Sequence, residues 1–266
     1  MYPYYETINS DEPNAFRMLT VRDFSFPPHL HSHIELMYII DGSVMVSVND
    51  SKRILKKGDI AVCFPNDIHS YITIDKSRLM ILIFSPDIIM GYFGERMGKT
   101  LNNPFFEYGT YPNDVKALLK MVMKEGHNDR NEFVIKGLLY SIFGKLDNHF
   151  VFKEGKQLHD TTIQKLLRYI GSHFCENISL DMVAKNLGFS KFHISRLFNH
   201  KIGEQFNDYV NKLRVNMAQS LLTGTDQSIS TIALECGFDS IRNFNRVFKT
   251  YSNTTPSSFR KNRRRR

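Results

Sequence analysis

The last hundred or so residues of this chain use one unit twice, and that repeat limits the fold more than any other feature. Ser179, Leu180, Val183, Ala184, Gly188 and Phe189 recur 49 positions later as Ser228, Ile229, Ile232, Ala233, Gly237 and Phe238. After one inserted residue the offset is 50, and Arg196-Leu197-Phe198 recurs as Arg246-Val247-Phe248. Gly203, Phe206 and Tyr209 are matched in turn by Asn253, Pro256 and Phe259. A period of this length means a small supersecondary unit present in two copies.

Local physics builds each copy. Ser179 and Ser228 precede apolar periodic runs and are suited to cap a helix N-terminus. Leu180, Val183, Ala184 and Leu187 then share one face at helical spacing. Ala184 and Ala233 are small where a second helix must come close. Gly188 and Gly237 follow that helix, where a left-handed residue ends it without the steric cost of a Cβ. Phe189 and Phe238 are placed to plug the corner. Ser190, and Asp239 or Ser240, stand ready to cap the next helix. Helix, short Gly-containing turn and helix make a helix-turn-helix.

The second helix of each copy has two faces. Ile194, Leu197 and Phe198, like Phe244, Val247 and Phe248, lie at i, i+3 and i+4 and are expected to face inward. The opposite faces carry Phe192, Ser195, Arg196 and Asn199 in one copy and Arg242, Asn245, Arg246 and Lys249 in the other. Arg bonds guanine bidentately in a major groove, Asn reads adenine, and Lys and Arg hold phosphates. A single such face is equally well an ordinary solvated one; two in register point to DNA.

These residues carry a resemblance. The stretch from about 160 to 260 resembles the DNA-binding domain of the AraC/XylS family of transcription regulators. It does so through Ala184-x3-Gly188-Phe189-Ser190, Ser195-Arg196-Leu197-Phe198, Ile232-Ala233-x3-Gly237-Phe238-x7-Arg246-Val247-Phe248-Lys249 and the closing Thr255-Pro256-x2-Phe259-Arg260. The resemblance implies that the second helix of each motif enters a major groove. Lys191, Phe192, Ser195 and Arg196 would form one reading set, and Ile241, Arg242, Asn243, Asn245 and Arg246 the other. Two positions depart from the family pattern: Asn253 stands where Gly is usual, and Ile241 is apolar at an often polar reading position. Asn tolerates a left-handed turn better than most residues.

Charge agrees without the resemblance. Residues 156–266 hold 18 Lys and Arg against 8 Asp and Glu, while the other 155 residues hold 17 against 19. Basicity is thus confined to the half expected to meet phosphates. Arg263 to Arg266 supply four of those charges and read as a solvated, unstructured tail. The longest strongly apolar run, Leu79 to Phe84, is far too short to span a membrane, and the N-terminus has no signal-peptide pattern. Cys63, Cys175 and Cys236 are few and far apart, which fits a reducing cytoplasm and neither zinc spacing nor disulfides.

The first hundred residues belong to another class. Ile34–Ile40, Val44–Val48, Asp59–Phe64, Tyr71–Ile74 and Leu79–Phe84 are short, rich in Val, Ile, Tyr and Phe, and separated by turn residues such as Asp41-Gly42 and Pro65-Asn66-Asp67. They predict a β-sandwich or barrel. Helical spacing follows in Val115, Leu118, Leu119 and Val122, then in Phe133, Leu138, Ile142 and Leu146 across Glu132–Phe150. The fold expected is α+β in two domains. Residues 1–155 form a barrel with trailing helices, and residues 156–266 form an all-α double helix-turn-helix domain. Phe152 to Gln157 reads as the linker, Asp160 or Thr161 as the next helix cap, and Phe206 to Leu222 as the helix joining the motifs, ended by Gly224.

Within the β region, His31-Ser32-His33-Ile34-Glu35 is the richest stretch. On a strand, His31, His33 and Glu35 would share a face. Gly58-Asp59, Pro65 and His69 form a second candidate. Together these look like the two motifs of a cupin barrel, the usual N-terminal domain of the AraC/XylS family. In cupin enzymes, two His of the first motif, a Glu and a later His bind a metal. Glu35 lies closer to His33 than metal-binding cupins place it, and Asp67 stands near the later motif's second Gly.

Three readings remain open at this level: hydrogen-bonded polar side chains at a barrel mouth, an effector pocket, or a metal shell. We assign His31, His33, Glu35 and His69 as effector contacts, with Tyr38, of opposite strand parity, as a weaker addition. No metal or other cofactor is assigned. The resemblance implies a sugar or related metabolite as effector, and a homodimer paired through helices after the barrel. Val134, Leu138, Ser141, Ile142 and Lys145 lie near one another on the second of these. The expected function is a transcription regulator that binds double-stranded DNA and answers a small effector, and not an enzyme. The rival reading is a metal-dependent cupin enzyme fused to a DNA-binding domain.

Overall fold

The structure is a computed structural model that describes residues 15–96, 98–126, 131–154 and 162–264. They fall into two compact units: residues 30–154 together with 15–25, and residues 162–264 together with Phe26–His29. The first is sheet-rich and the second helical, which is the α+β two-domain organisation expected from the sequence.

The strands are β1 (Phe16–Arg22), β2 (Phe26–His29, grouped with the helical unit), β3 (Ile34–Val48), β4 (Ser51–Lys56), β5 (Ile60–Cys63), β6 (His69–Phe84), β7 (Lys99–Leu101), β8 (Phe105–Phe106) and β9 (Phe152–Glu154). The main sheet runs β1-β6-β3-β5-β8, with β4 against β3, all antiparallel.

Two long strands decide the shape. The sequence places breaks at Asp41-Gly42 and after Ile74, yet β3 and β6 each run through unbroken. Their ladder shifts register between Ile39 and Asp41 and again between Gly42 and Val44. An extra residue of this kind bends a strand and increases its twist. Gly42 has φ +78, and a Cβ there would lie 1.8 Å from the carbonyl oxygen of Lys76. The turn chemistry is therefore real, but it bends a strand pair where a loop was expected.

Alternation sorts the sheet's two faces. Ile34, Leu36, Tyr38, Ile60, Val62, Met80, Leu82 and Phe84 pack with helices α2 (Asn113–Glu125) and α3 (Glu132–Leu146), which follow the short α1 (Met90–Phe93). The helices contribute Val115, Leu119, Val122, Ile135, Leu139, Ile142, Phe143 and Leu146. Glu35, Met37, Ile39, Ala61, Cys63, Ile81 and Ile83 occupy the other face and are buried too.

Three expectations change here. Phe133 is 86% exposed, because Ile135 and Leu139 turn the helix so that Phe133 leaves the stripe. Leu138 and Ile142, expected near a pairing face, are consumed by the domain's own core. Phe152–Glu154 is no linker: it is strand β9, paired with β7. The rest of the expected linker, and the Asp160 and Thr161 cap, lie outside the described residues.

The helical unit comprises α4 (Thr162–His173), α5 (Leu180–Asn186), α6 (Lys191–Ile202), α7 (Phe206–Gly224), α8 (Ile229–Glu235), α9 (Ile241–Ser252) and α10 (Pro256–Arg264). Ser179, Ser190, Ser228 and Ser240 each accept a hydrogen bond from a backbone N–H of the following first turn. Ser240, not Asp239, takes the last of these places. Gly188 and Gly237 sit at φ +74 and +79, and Asn253 closes α9 in the left-handed region at φ 53, as Gly203 closes α6. Gly224 stays helical, and Thr225 ends α7. Arg263 and Arg264 continue α10 where an unstructured tail was expected, while Arg265 and Arg266 lie outside the described residues.

Candidate functional site

The helical unit presents two matching surfaces. Ile194 and Phe198 of α6, and Phe244, Val247 and Phe248 of α9, are buried, which fixes which side of each helix remains outside. Lys191, Phe192, Arg196 and Asn199 are exposed on α6, with Ser195 half-buried. Ile241, Arg242, Asn245, Arg246 and Lys249 are exposed on α9, with Asn243 half-buried. Several of these residues are ordered by neighbours. The Arg196 guanidinium lies 5.9 Å from the ring centre of Phe192. Arg246 donates to Asn243 Oδ1 at 2.9 Å, and Lys191 pairs with Asp181 of α5 at 2.7 Å. Phe192, 76% exposed, is a large apolar ring offered to solvent at the start of a helix.

Sequence reading missed what braces the two motifs together. Arg214, on the inner side of α7, donates to the carbonyl oxygens of Phe174 and Glu176, both at 2.7 Å. Its guanidinium also lies 5.7 Å from the ring centre of Phe238. One residue of the joining helix thus ties the segment before α5 to the corner between α8 and α9. Nothing in local spacing signals it, because its partners lie some forty positions before it in one case and some twenty after it in the other.

In the sheet-rich unit, the polar candidates are drawn together differently from the strand picture. β3 begins only at Ile34, and Ser32-His33 form a bend. His31 and His33 therefore share no strand face with Glu35. The bend instead turns the His31 ring back so that its Nε2 lies 3.3 Å from Glu35 Oε2. His69 Nε2 lies 3.4 Å from the same oxygen. By register His69 pairs with Val48, thirteen residues beyond Glu35 on β3. A straight strand would separate those positions by about 43 Å, at roughly 3.3 Å per residue. The bend at Asp41–Gly42 folds the ladder over and closes that distance.

The turn Phe64–Asp67 holds the His31 backbone and the His69 ring. Asn66, at φ 68, donates its N–H to the carbonyl of His31 at 2.9 Å, and the carbonyl of Asp67 faces His69 Nδ1 at 2.8 Å. The Asp67 carboxylate in turn accepts from Phe64 N–H, Asn49 Nδ2 and Thr100 Oγ1. It is a scaffold residue, as is Asp59, which accepts from the backbone N–H groups of Lys56 and Tyr108. His33 offers its carbonyl to His31 Nδ1 at 3.2 Å, with its ring 5.9 Å from that of His31. Tyr38 lies on the opposite face, in the core under the helices.

His31, His33, Glu35 and His69 are at most 5% exposed, so the cluster is closed rather than open at a mouth. Burial opposes the charge on Glu35, but the positive charge of His69 and hydrogen bonds from both histidines outweigh it and hold the carboxyl below its usual range. Burial pushes His31 down despite Glu35. Burial acts the same way on His69, yet there the Glu35 charge wins and its pKa rises. Burial also raises the Cys63 thiol, which stays neutral.

Residues 17–143 match the family described as AraC-like ligand binding domain, and residues 183–262 match the helix-turn-helix domain family. The chain joins an AraC-like ligand-binding domain to an AraC-type helix-turn-helix domain. An uncharacterized HTH-type transcriptional regulator of Staphylococcus aureus (strain COL) is 36% identical over 106 residues, 40% of this chain and 14% of the relative. Regulatory protein PocR of Salmonella typhimurium is also 36% identical over 106 residues, 35% of its length. The chain thus spans about a seventh to a third of these relatives. Among solved structures, apo ToxT of Vibrio cholerae has the same fold over 94% of this chain and 97% of its own, with TM-score 0.60 at 15% identity. A ToxT structure with an unsaturated fatty acid bound covers 93% and 94%, with TM-score 0.56 at 15% identity. No described helix is long and apolar enough to cross a membrane.

Proposed function

We propose that this chain is a sequence-specific regulator of transcription acting in the cytoplasm. Residues 156–266 bind double-stranded DNA, and residues 1–155 bind a small effector. The observation that carries this reading is the repeated exposed face. Lys191, Phe192, Ser195, Arg196 and Asn199 on α6, and Ile241, Arg242, Asn243, Asn245, Arg246 and Lys249 on α9, are side chains that touch base edges and phosphates. Ile241 suits a thymine methyl. Two such helices on one compact unit meet successive major-groove segments about one helical turn apart if the joining helix α7 holds them rigidly. The chain acts as a homodimer, which doubles the DNA footprint.

For the effector we favour a carbohydrate or related metabolite, contacted through His31, His33, Glu35 and His69. Tyr38 is the weakest of the expected contacts, because the core already encloses it. Polar, ionisable groups suit hydroxyl-bearing ligands better than acyl chains. The fatty acid in a ToxT structure makes acyl chains the natural comparison arm. Regulation then requires effector affinity to differ between two DNA-binding arrangements.

Selection of random duplex DNA by the purified chain at near-physiological salt, with and without pooled sugars or fatty acids, tests the reading. The expected result is enrichment of an element with two subsites about one helical turn apart, altered by a sugar pool. Binding without sequence enrichment that vanishes as salt rises would reduce it to phosphate attraction.

A further inference from the structure

The ligand atoms of His31, Glu35 and His69 all lie within 4.8 Å of one another. We infer that these three side chains hold a divalent transition-metal ion of the zinc class. The cluster is the one the effector reading uses, but the ion is held whether or not an organic effector also enters, so the two readings stand or fall separately.

Distance is the starting point. An ion bound at about 2.1 Å with tetrahedral angles keeps its donor atoms about 3.4 Å apart. The two imidazole Nε2 atoms lie 3.3 and 3.4 Å from the Glu35 oxygen they share. The side chains therefore need little movement to accept it.

Orientation supplies the second argument. His31 Nδ1 faces the carbonyl of His33, and His69 Nδ1 faces the carbonyl of Asp67. A metal-binding histidine commonly has its far nitrogen tied in this way, which sets the tautomer and leaves the other lone pair for the ion. Without an ion a neutral His31 has one N–H for two acceptors, the His33 carbonyl and the Glu35 oxygen. With an ion, both Nδ1–H groups donate to carbonyls, both Nε2 lone pairs bind metal, and the carboxylate charge is compensated.

Glu35 adds an independent sign. It is fully buried, and its Oε1 has no hydrogen-bond partner among the described residues. A buried carboxylate oxygen left so is costly, and a cation removes the cost.

The donor set selects the class of ion. Two imidazoles and one carboxylate suit zinc, nickel, cobalt or iron(II), whereas magnesium and calcium prefer all-oxygen shells. His33 stands outside the converging atoms. The set therefore differs from the one the cupin resemblance implies, in which both histidines of the first motif are ligands. The ion would join the loop before β3, the start of β3 and the start of β6, which are the parts the bent ladder brings together.

The test uses the tag-free full-length chain after chelator treatment. Titration with zinc, followed by calorimetry and elemental analysis, is expected to give one ion per chain and a higher melting temperature. Cobalt loading is expected to give visible absorption bands of a nitrogen- and oxygen-ligated ion. Glu35→Gln and His69→Gln are each expected to weaken binding at least about tenfold. A folded wild-type chain that retains no ion and shows no cobalt spectrum would overturn the inference without a variant being needed. So would one-to-one binding unchanged in both variants, which would put the ion elsewhere. A separate stability response to sugars bears only on the effector reading.

Discussion

A Cβ on Gly237 would lie 2.3 Å from the carbonyl oxygen of Cys175. The corner between α8 and α9 is thus pressed against the backbone that leads into the other motif. Its repeat counterpart, Gly188, has nothing within 4 Å of the same position. Two glycines with the same sequence role and nearly the same φ differ in what surrounds them.

Gly188→Ala is therefore expected to cost only the left-handed strain, about 1–2 kcal/mol. Gly237→Ala adds displacement of the Cys175 backbone and should cost distinctly more, about 3 kcal/mol or above. Urea unfolding of both variants checks the ordering. Equal losses would mean that the packing at Cys175 relaxes freely.

Arg214 acts at the same junction. Replacing it with Ala removes two charge-assisted bonds to carbonyls and the contact with Phe238, and should destabilise the helical unit by about 1.5–3 kcal/mol. A second readout separates bracing from mere stability. At a temperature where the variant is folded, affinity for an element with both subsites should fall more than affinity for either subsite alone. A parallel loss on all three would remove the bracing role.

Arg196→Ala and Arg246→Ala should each cost about 1–3 kcal/mol of specific binding while the fold persists. Arg246→Ala also releases Asn243 from its 2.9 Å bond, so it is expected to relax specificity over more than one base pair. Lys191→Ala should leave the melting temperature nearly unchanged, since its pair with Asp181 is exposed. Its salt slope of binding should drop by about one ion. Filter binding across salt concentrations, on matched and scrambled duplexes, measures all three.

Asp67→Ala should be among the most damaging changes in the sheet-rich unit. Three donors lose their acceptor: the buried Phe64 N–H, worth about 1–3 kcal/mol when left unpaired, and the partly exposed Asn49 and Thr100, which can turn to water. The Phe64–Asp67 turn that holds His31 and His69 would loosen with it. Hydrogen exchange of the Phe64 amide, together with thermal unfolding, reports the loss. Protection equal to wild type would show that the turn does not depend on the carboxylate.

Much of the DNA-binding half could be read along the chain. Ser179, Ser190 and Ser228 cap as their positions suggest, and Asn253 takes the left-handed place that Gly203 takes one repeat earlier. The β half resisted because its turn signals are ambiguous. Asp41-Gly42 marks a chain reversal equally well as a loop or as a bend inside a continuous strand. Which one occurs depends on whether Lys76 and Ser77 come alongside.

By itself the sequence determined what lies within a few residues: helix caps, left-handed corners, the apolar and polar sides of α6 and α9, and hence the family resemblance and the two-motif architecture. These follow from short-range periodicity and local hydrogen bonds, so spacing alone encodes them. Only the tertiary structure decided that His69 meets Glu35, that His33 stands aside, that Leu138 and Ile142 belong to the core, and that Arg214 joins the two motifs. Each depends on a fold-over or a packing contact between distant segments, and no local pattern records where a bent ladder or a crossing helix will bring its side chains.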